Sequence, residues 1–157
     1  MIMDTFNEEF LRLIDTFQKF NVKYIVVGGF AVNHYGYRRT TGDCDIYLED
    51  SIVNRQNLID SLDAMDYGRF DELLRVPIIA GYCEIMMDNG MYADLMTEMK
   101  GLDKSKFNDY YELATLDVIQ DIPVRFLHYN HLIENKKATG RNKDLLDIEE
   151  LEKINSK

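Results

Sequence analysis

Cysteine and proline are scarce in this chain, long apolar runs are missing, and basic residues are outnumbered. The two cysteines, Cys44 and Cys83, lie far apart with no Cys-x-x-Cys spacing, which fits a cytoplasmic protein with free thiols. Pro77 and Pro123 are the only prolines, and no Pro/Gly-rich linker, internal repeat or low-complexity segment divides the chain. The longest apolar stretch, residues 24–32, includes two glycines and falls far short of the roughly 20 residues a membrane-spanning helix needs. Met1, Ile2, Met3 and Asp4 lack the basic start of a signal peptide. With 18 Lys and Arg against 28 Asp and Glu, the formal charge is −10. That balance argues against a protein that coats duplex nucleic acid or an anionic membrane, while leaving room for a local basic site.

What is present suits one folded unit. The chain has 157 residues, 46% hydrophobic and 29% charged, which matches a single soluble domain able to bury roughly 70% of its unfolded surface. Phe6, Phe10, Leu13, Phe17 and Phe20 recur at helical spacing, Leu11 and Ile14 widen the stripe, and Thr5 with Glu8 fits a capping box. Residues 23–27 read as a buried strand running into Gly28-Gly29, with a helix over 30–35. A second strand is expected over 44–48 and a helix over 53–65, with Ser51 as its cap. The apolar runs 76–80 and 82–87 resemble a hairpin broken at Gly81, and a strand over 91–96 follows the turn signal Asn89-Gly90. Beyond it, helix over 106–113, strand over 124–127 and helix over 131–137 are expected. A final helix over 142–154 would turn Leu145, Ile148 and Leu151 inward. The pattern predicts an α+β or α/β fold: a mixed central sheet with helices packed on it, a core of about residues 22–127, and a helical tail over about 128–157. Strand order does not follow from it.

The chemistry concentrates in a few positions. A glycine pair between strand and helix lets backbone approach an anion closely, and the helix start beyond it offers unpaired N–H groups. Alternate residues of a strand share a face, so Asp43 and Asp45 project together and call for a compensating cation, most naturally Mg²⁺ bridging to phosphate oxygens. Asp94 sits among Tyr92, Ala93, Leu95 and Met96, where a lone carboxylate is costly unless paired or metal-bound. If its strand lies beside the second one, three carboxylates converge as a two-metal site requires. Arg38, Arg39, Lys136, Lys137, Arg141 and Lys143 gather much of the basic charge into two short stretches.

These residues carry a resemblance. Val26-Val27-Gly28-Gly29, then Asp43-Cys44-Asp45-Ile46, then Ala93-Asp94-Leu95 resembles the nucleotidyltransferase superfamily that shares its fold with DNA polymerase beta. Gly29-Phe30-Ala31-Val32-Asn33, Gly36-Tyr37, Arg39, Thr41, Gly42-Asp43 and the tail from Gly140 to Asp147 are similar to small bacterial members, which include abortive-infection and other toxin–antitoxin proteins. The resemblance covers about residues 24–151. It implies Asp43 and Asp45 as metal ligands, and Asp94 as ligand and general base. It also implies Gly28 and Gly29 at the triphosphate, with Thr41 of the matched segment at the nucleotide; independently, the two basic stretches put Arg39 and Lys143 near the nucleotide phosphates, with Arg141 a further candidate. The cofactor implied is Mg²⁺, two ions, with Mn²⁺ able to substitute. Cys44 replaces the usual aliphatic residue between the acids, and a small buried thiol fits there.

Plainer explanations exist for each feature taken alone. Gly28-Gly29 could be an ordinary turn, Asp43 and Asp45 a solvated strand end, Asp94 a partner of a tail lysine, and Lys143 with Asp147 a helix-surface pair. His128 and His131, three apart, fit a loop-to-helix junction better than a metal site, and His34 fits packing better than the site. The expected activity is Mg²⁺-dependent transfer of a nucleoside monophosphate from an NTP to an acceptor hydroxyl of a small molecule, a tRNA end or a protein, releasing pyrophosphate. The alternative is a non-catalytic nucleotide-binding or toxin–antitoxin interaction module on the same fold. A partner protein or homodimer completing so small a site is a further expectation.

Overall fold

The structure, a computed structural model, describes residues 6–157. Helix α1 (Glu8–Lys19) buries Phe10, Leu11, Leu13, Ile14 and Phe17. Its cap is Asn7, whose side chain accepts the Phe10 N–H at 2.9 Å; Thr5 of the expected capping box lies outside the described residues. Strand β1 (Tyr24–Val27) is buried at every position and runs directly into α2 (Gly28–His34). Strand β2 (Asp43–Leu48) leads to α3 (Ile52–Ala64), capped by Ser51 as its sequence signals. A single 3₁₀ turn (Asp71–Leu74) precedes β3 (Glu84–Met86) and β4 (Tyr92–Met96). The chain continues through a 3₁₀ turn (Lys104–Lys106), α4 (Phe107–Leu113), β5 (Thr115–Ile119), β6 (Ile122–Phe126), α5 (Tyr129–Thr139) and α6 (Asn142–Asn155).

The six strands form one mixed sheet in the order β3-β4-β2-β1-β6-β5. β1 pairs antiparallel with β2 and parallel with β6, while β2 pairs parallel with β4. The antiparallel hairpins β3–β4 and β5–β6 close the two sides. α1 packs on α3 and β6, α2 on β1 and β2, and α5 on α6. The rings of Phe10 and Phe30 meet at 4.9 Å between α1 and α2, and His34 stacks on Phe126 at 3.9 Å, so His34 is a packing residue. Among the described residues no helix is long and apolar enough to cross a membrane.

Three expectations are corrected. Residues 76–80 form no strand; only the run after Gly81 does, and its partner is β4, while in the earlier run the Ile78 carbonyl accepts from Thr97 just past β4. Strand β5 is additional: its turn places Gln120 and Asp121 at φ 49° and 68°, a two-residue hairpin geometry normally announced by glycine or asparagine. In α6 the inward face holds Asp144, Asp147, Ile148 and Leu151, whereas Leu145 is 53% exposed. Buried ion pairs, described below, decide the rotation of that helix over its apolar periodicity.

Candidate active site

Strand β1 ends where Gly28 turns the chain at φ +64°, a conformation that glycine adopts at little cost. A Cβ at Gly28 would overlap the carboxylate of Asp45, which stands opposite Val27 across the β1–β2 pairing. One at Gly29 would come within 2.5 Å of Thr41 Oγ1 and 3.3 Å of the Arg39 guanidinium. The glycine pair is therefore compact backbone onto which Asp45, Thr41 and Arg39 close. Thr41 also donates to the Asp43 carbonyl at 3.2 Å, which ties the loop to the start of β2.

On β2, Asp43 and Asp45 alternate with fully buried Cys44 and Ile46, so the two acids share the open face. The parallel pairing of β2 with β4 puts Asp45 directly beside Asp94 and Cys44 beside Ala93. Burial, Asp94 and Asp43 together push the Asp45 carboxyl up to about 7, against the pull of Lys136 and Lys143. Asp94 is 8% exposed; burial raises its carboxyl too, with Glu84 and Asp43 adding to the rise and the Gly81 N–H opposing it. That N–H donates to both Asp94 oxygens, at 2.8 and 3.0 Å, so Asp94 has a backbone partner and no tail lysine. Burial and the two neighbouring acids push the Cys44 thiol up, which makes it an inert core residue.

The acids open into a cleft of about 1670 Å³ between the sheet end, the segment around residues 74–80, the segment 97–104, and the α5–α6 corner. Eight of the protein's 18 Lys and Arg line it against five of its 28 acids, so a strongly acidic protein gathers basic side chains here. Lys143, Arg141, Lys136, Thr139 and Arg39 form one side at the α5–α6 corner, while Lys100, Lys104, Arg75 and Arg55 come from the other lining segments, the Lys100 carbonyl accepting from Asn135 of α5 at 2.8 Å. Lys143 is exposed and makes no ion pair among the described residues.

A buried ionic chain holds the first side in place. Arg39 forks onto Asp147 at 2.7 and 2.9 Å. Lys136, only 4% exposed, reaches Asp147 at 3.0 Å and Asp144 at 3.3 Å, and Arg141 grips Asp144 at 2.7 and 3.2 Å. Burial works to raise both acids, but hydrogen bonds and charge from Arg141, Arg39 and Lys136 hold them below the usual carboxylate range, Asp144 far below it. Asp147 thus serves Arg39 and Lys136 rather than pairing with Lys143 along the helix.

The predicted residues Gly28, Gly29, Arg39, Thr41, Asp43, Asp45, Asp94 and Lys143 all line this one cleft. Sequence reading misses Gly81, Asp144 and Asp147, and takes Lys136 only for its charge. Asp144 and Asp147, three apart among apolar residues, are the available signal for a buried role; a backbone donor such as Gly81 leaves none. His128 caps α5, its Nδ1 accepting the Asn130 N–H at 3.0 Å, consistent with a loop-to-helix junction.

The donor set suits a hard divalent cation: carboxylate oxygens on adjacent strands, one of them pushed up to about 7 by its neighbours, gain most from positive charge between them. Among the described residues no three metal-ligating side chains stand close enough to make a ready-built cage. Asp43 and Asp45 would hold such an ion first, with Asp94 beside them.

No protein-family model and no curated protein matches the sequence. Among solved structures, the crystal structure of a putative nucleotidyltransferase from Thermotoga maritima is similar over 100% of this chain and 97% of its own length, with a TM-score of 0.60 at 13% identity. The chain has a nucleotidyltransferase-like fold.

Proposed function

We propose that the cleft binds a nucleoside triphosphate and transfers its nucleoside monophosphate to an acceptor hydroxyl. The observation that carries this reading is the register of β2 on β4, which sets Asp45 beside Asp94 within one cleft that also holds Gly28-Gly29 and a wall of basic side chains. The backbone at Gly28 and Gly29 lets phosphate oxygens approach without a side chain in the way. Lys143 and Arg141 neutralise the triphosphate from the rim, and Arg39, braced by Asp147, fixes the wall they stand on. Asp43 and Asp45 hold Mg²⁺, whose chemistry when bound is to stabilise charge on the attacking and leaving oxygens. Asp94 takes the proton of the acceptor hydroxyl on a carboxylate oxygen as that hydroxyl oxygen bonds to the α-phosphorus and the bond to pyrophosphate breaks. A small molecule, a tRNA end and a protein side chain all present hydroxyls and are the acceptors to test.

Calorimetric titration of non-hydrolysable NTPs, with and without Mg²⁺, tests the site. Metal-dependent binding is expected in the wild type and its loss in Asp43→Ala. Equal binding by the two proteins removes the assignment.

A further inference from the structure

We infer that the backbone N–H of Gly81 is a positioning group for Asp94, built to aim that carboxylate into the site. The inference rests on the nucleotidyl-transfer reading of the cleft. Asp94 has a carboxylate on each side: Asp45 is its register partner on β2 and Glu84 its register partner on β3. Repulsion from both would turn an unrestrained side chain away. Gly81 counters this with one N–H shared by both Asp94 oxygens, at 2.8 and 3.0 Å. A carboxylate offers about four lone-pair sites, so this bond leaves others free for a ligand.

The donor is held on Asp94's own strand. Tyr82 N–H closes the turn onto the Ile79 carbonyl at 3.0 Å. Before the turn, the Ile78 carbonyl accepts from Thr97 N at 3.1 Å and Thr97 Oγ1 at 3.2 Å; after it, the Cys83 carbonyl accepts from Leu95 N at 2.9 Å. Residues 95 and 97 flank the position of Asp94 on its C-terminal side, so the turn and the acid move as one piece. Gly81 has φ +84°, the value the third residue of a type II turn needs. Hydrogen bonds to a ligating carboxylate fix its direction, and their loss typically weakens metal binding by about 10–100-fold.

Amide-to-ester replacements at Gly81 and at Gly90 make a matched pair, each deleting one N–H and adding no side chain. Both glycines have nearly the same positive φ, +84° and +83°, and a Cβ on either meets nothing within 4 Å. Only Gly81 touches Asp94; the Gly90 N–H donates to Met87 at 2.9 Å. Mn²⁺ affinity is measured by electron paramagnetic resonance with a non-hydrolysable NTP present. The Gly81 ester is expected to weaken it roughly 10–100-fold, the Gly90 ester to leave it unchanged, and the Gly81 ester to add nothing in an Asp94→Ala background. In metal-free protein, hydrogen exchange at the Gly81 amide is expected to be slow in the wild type and fast in Asp94→Ala. Equal Mn²⁺ affinity in the two ester proteins, an undiminished effect of the Gly81 ester without Asp94, or unchanged Gly81 exchange in Asp94→Ala overturns the positioning role alone. Wild-type protein with no Asp43-dependent Mn²⁺ binding overturns the nucleotidyl-transfer reading and this role with it.

Discussion

Replacing Asp147 by asparagine discriminates between a structural brace and an incidental surface pair. Three cations, Arg39, Lys136 and Arg141, share two carboxylates that are 0% and 1% exposed. In Asp147→Asn, Arg39 loses both charged bonds and the buried Lys136 keeps only Asp144 at 3.3 Å, so positive charge is left short of partners. Removing one partner of a buried pair costs about 3–5 kcal/mol. Arg39 is 23% exposed and partly rehydrates, which puts the expectation at the lower end, about 3 kcal/mol. For a protein of this size that is a fall of roughly 6–12 °C in the melting temperature. Lys136→Met should cost less, about 1–2 kcal/mol, because each acid retains a two-point arginine and the charges remaining balance. Urea unfolding and thermal melting at pH 7 measure both. An Asp147→Asn loss under about 1 kcal/mol, or Lys136→Met as the more harmful change, refutes the reasoning. Acid adds an independent check. Both acids bind protons more weakly folded than unfolded, so their contribution is complete above the ordinary carboxylate range and fades as pH falls below it through their lowered values. Asp147→Asn should flatten that acid limb.

Asp45 works with the opposite sign: its carboxyl is raised when folded, so stability declines as pH climbs from about 4 towards 7. Asp45→Asn should therefore stabilise the metal-free protein at pH 8 by about 1–3 kcal/mol while abolishing turnover; unchanged stability there sinks the account of Asp45. Thiol titration of the native protein should find Cys83 reactive and Cys44 silent until unfolding, since Cys44 is fully buried and Cys83 is not. Two native-state thiols reacting at equal rates would contradict the packing of β2.

Much of the site is legible in the sequence because it depends on short-range geometry. Asp43 and Asp45 share a face through the two-residue period of a strand, and Gly28-Gly29 announces backbone that must come close to something. The neighbourhood of Asp45 and Asp94 is not legible, since a hydrophobic run states that a strand exists and leaves its partner unnamed. Leu145 illustrates a different limit: apolar spacing turns it inward, but the free energy of six charged hydrogen bonds at Asp144 and Asp147 rotates α6 to bury the acids instead. Strand β5 escapes notice because Gln120 and Asp121 accept left-handed φ without the usual turn residues. Gly81 looks like a break between two apolar runs because its contribution is a peptide N–H, which side-chain patterns do not encode.

The parallel alignment of β2 with β4 also bears on how the molecule assembles. Parallel neighbours cannot be joined by a tight turn, so α3 and the segment up to β3 must fold back before the pairing closes. Such non-local closure is a slow kind of step, and here it forces Asp45 and Asp94 together at matched register against their repulsion. The opposing drive comes from the other face of the same strands, where Cys44 meets Ala93 and Ile46 meets Leu95, all at most 1% exposed. A divalent cation present during folding should therefore speed this closure, because it relieves the one acid-against-acid register pair of the β2–β4 seam.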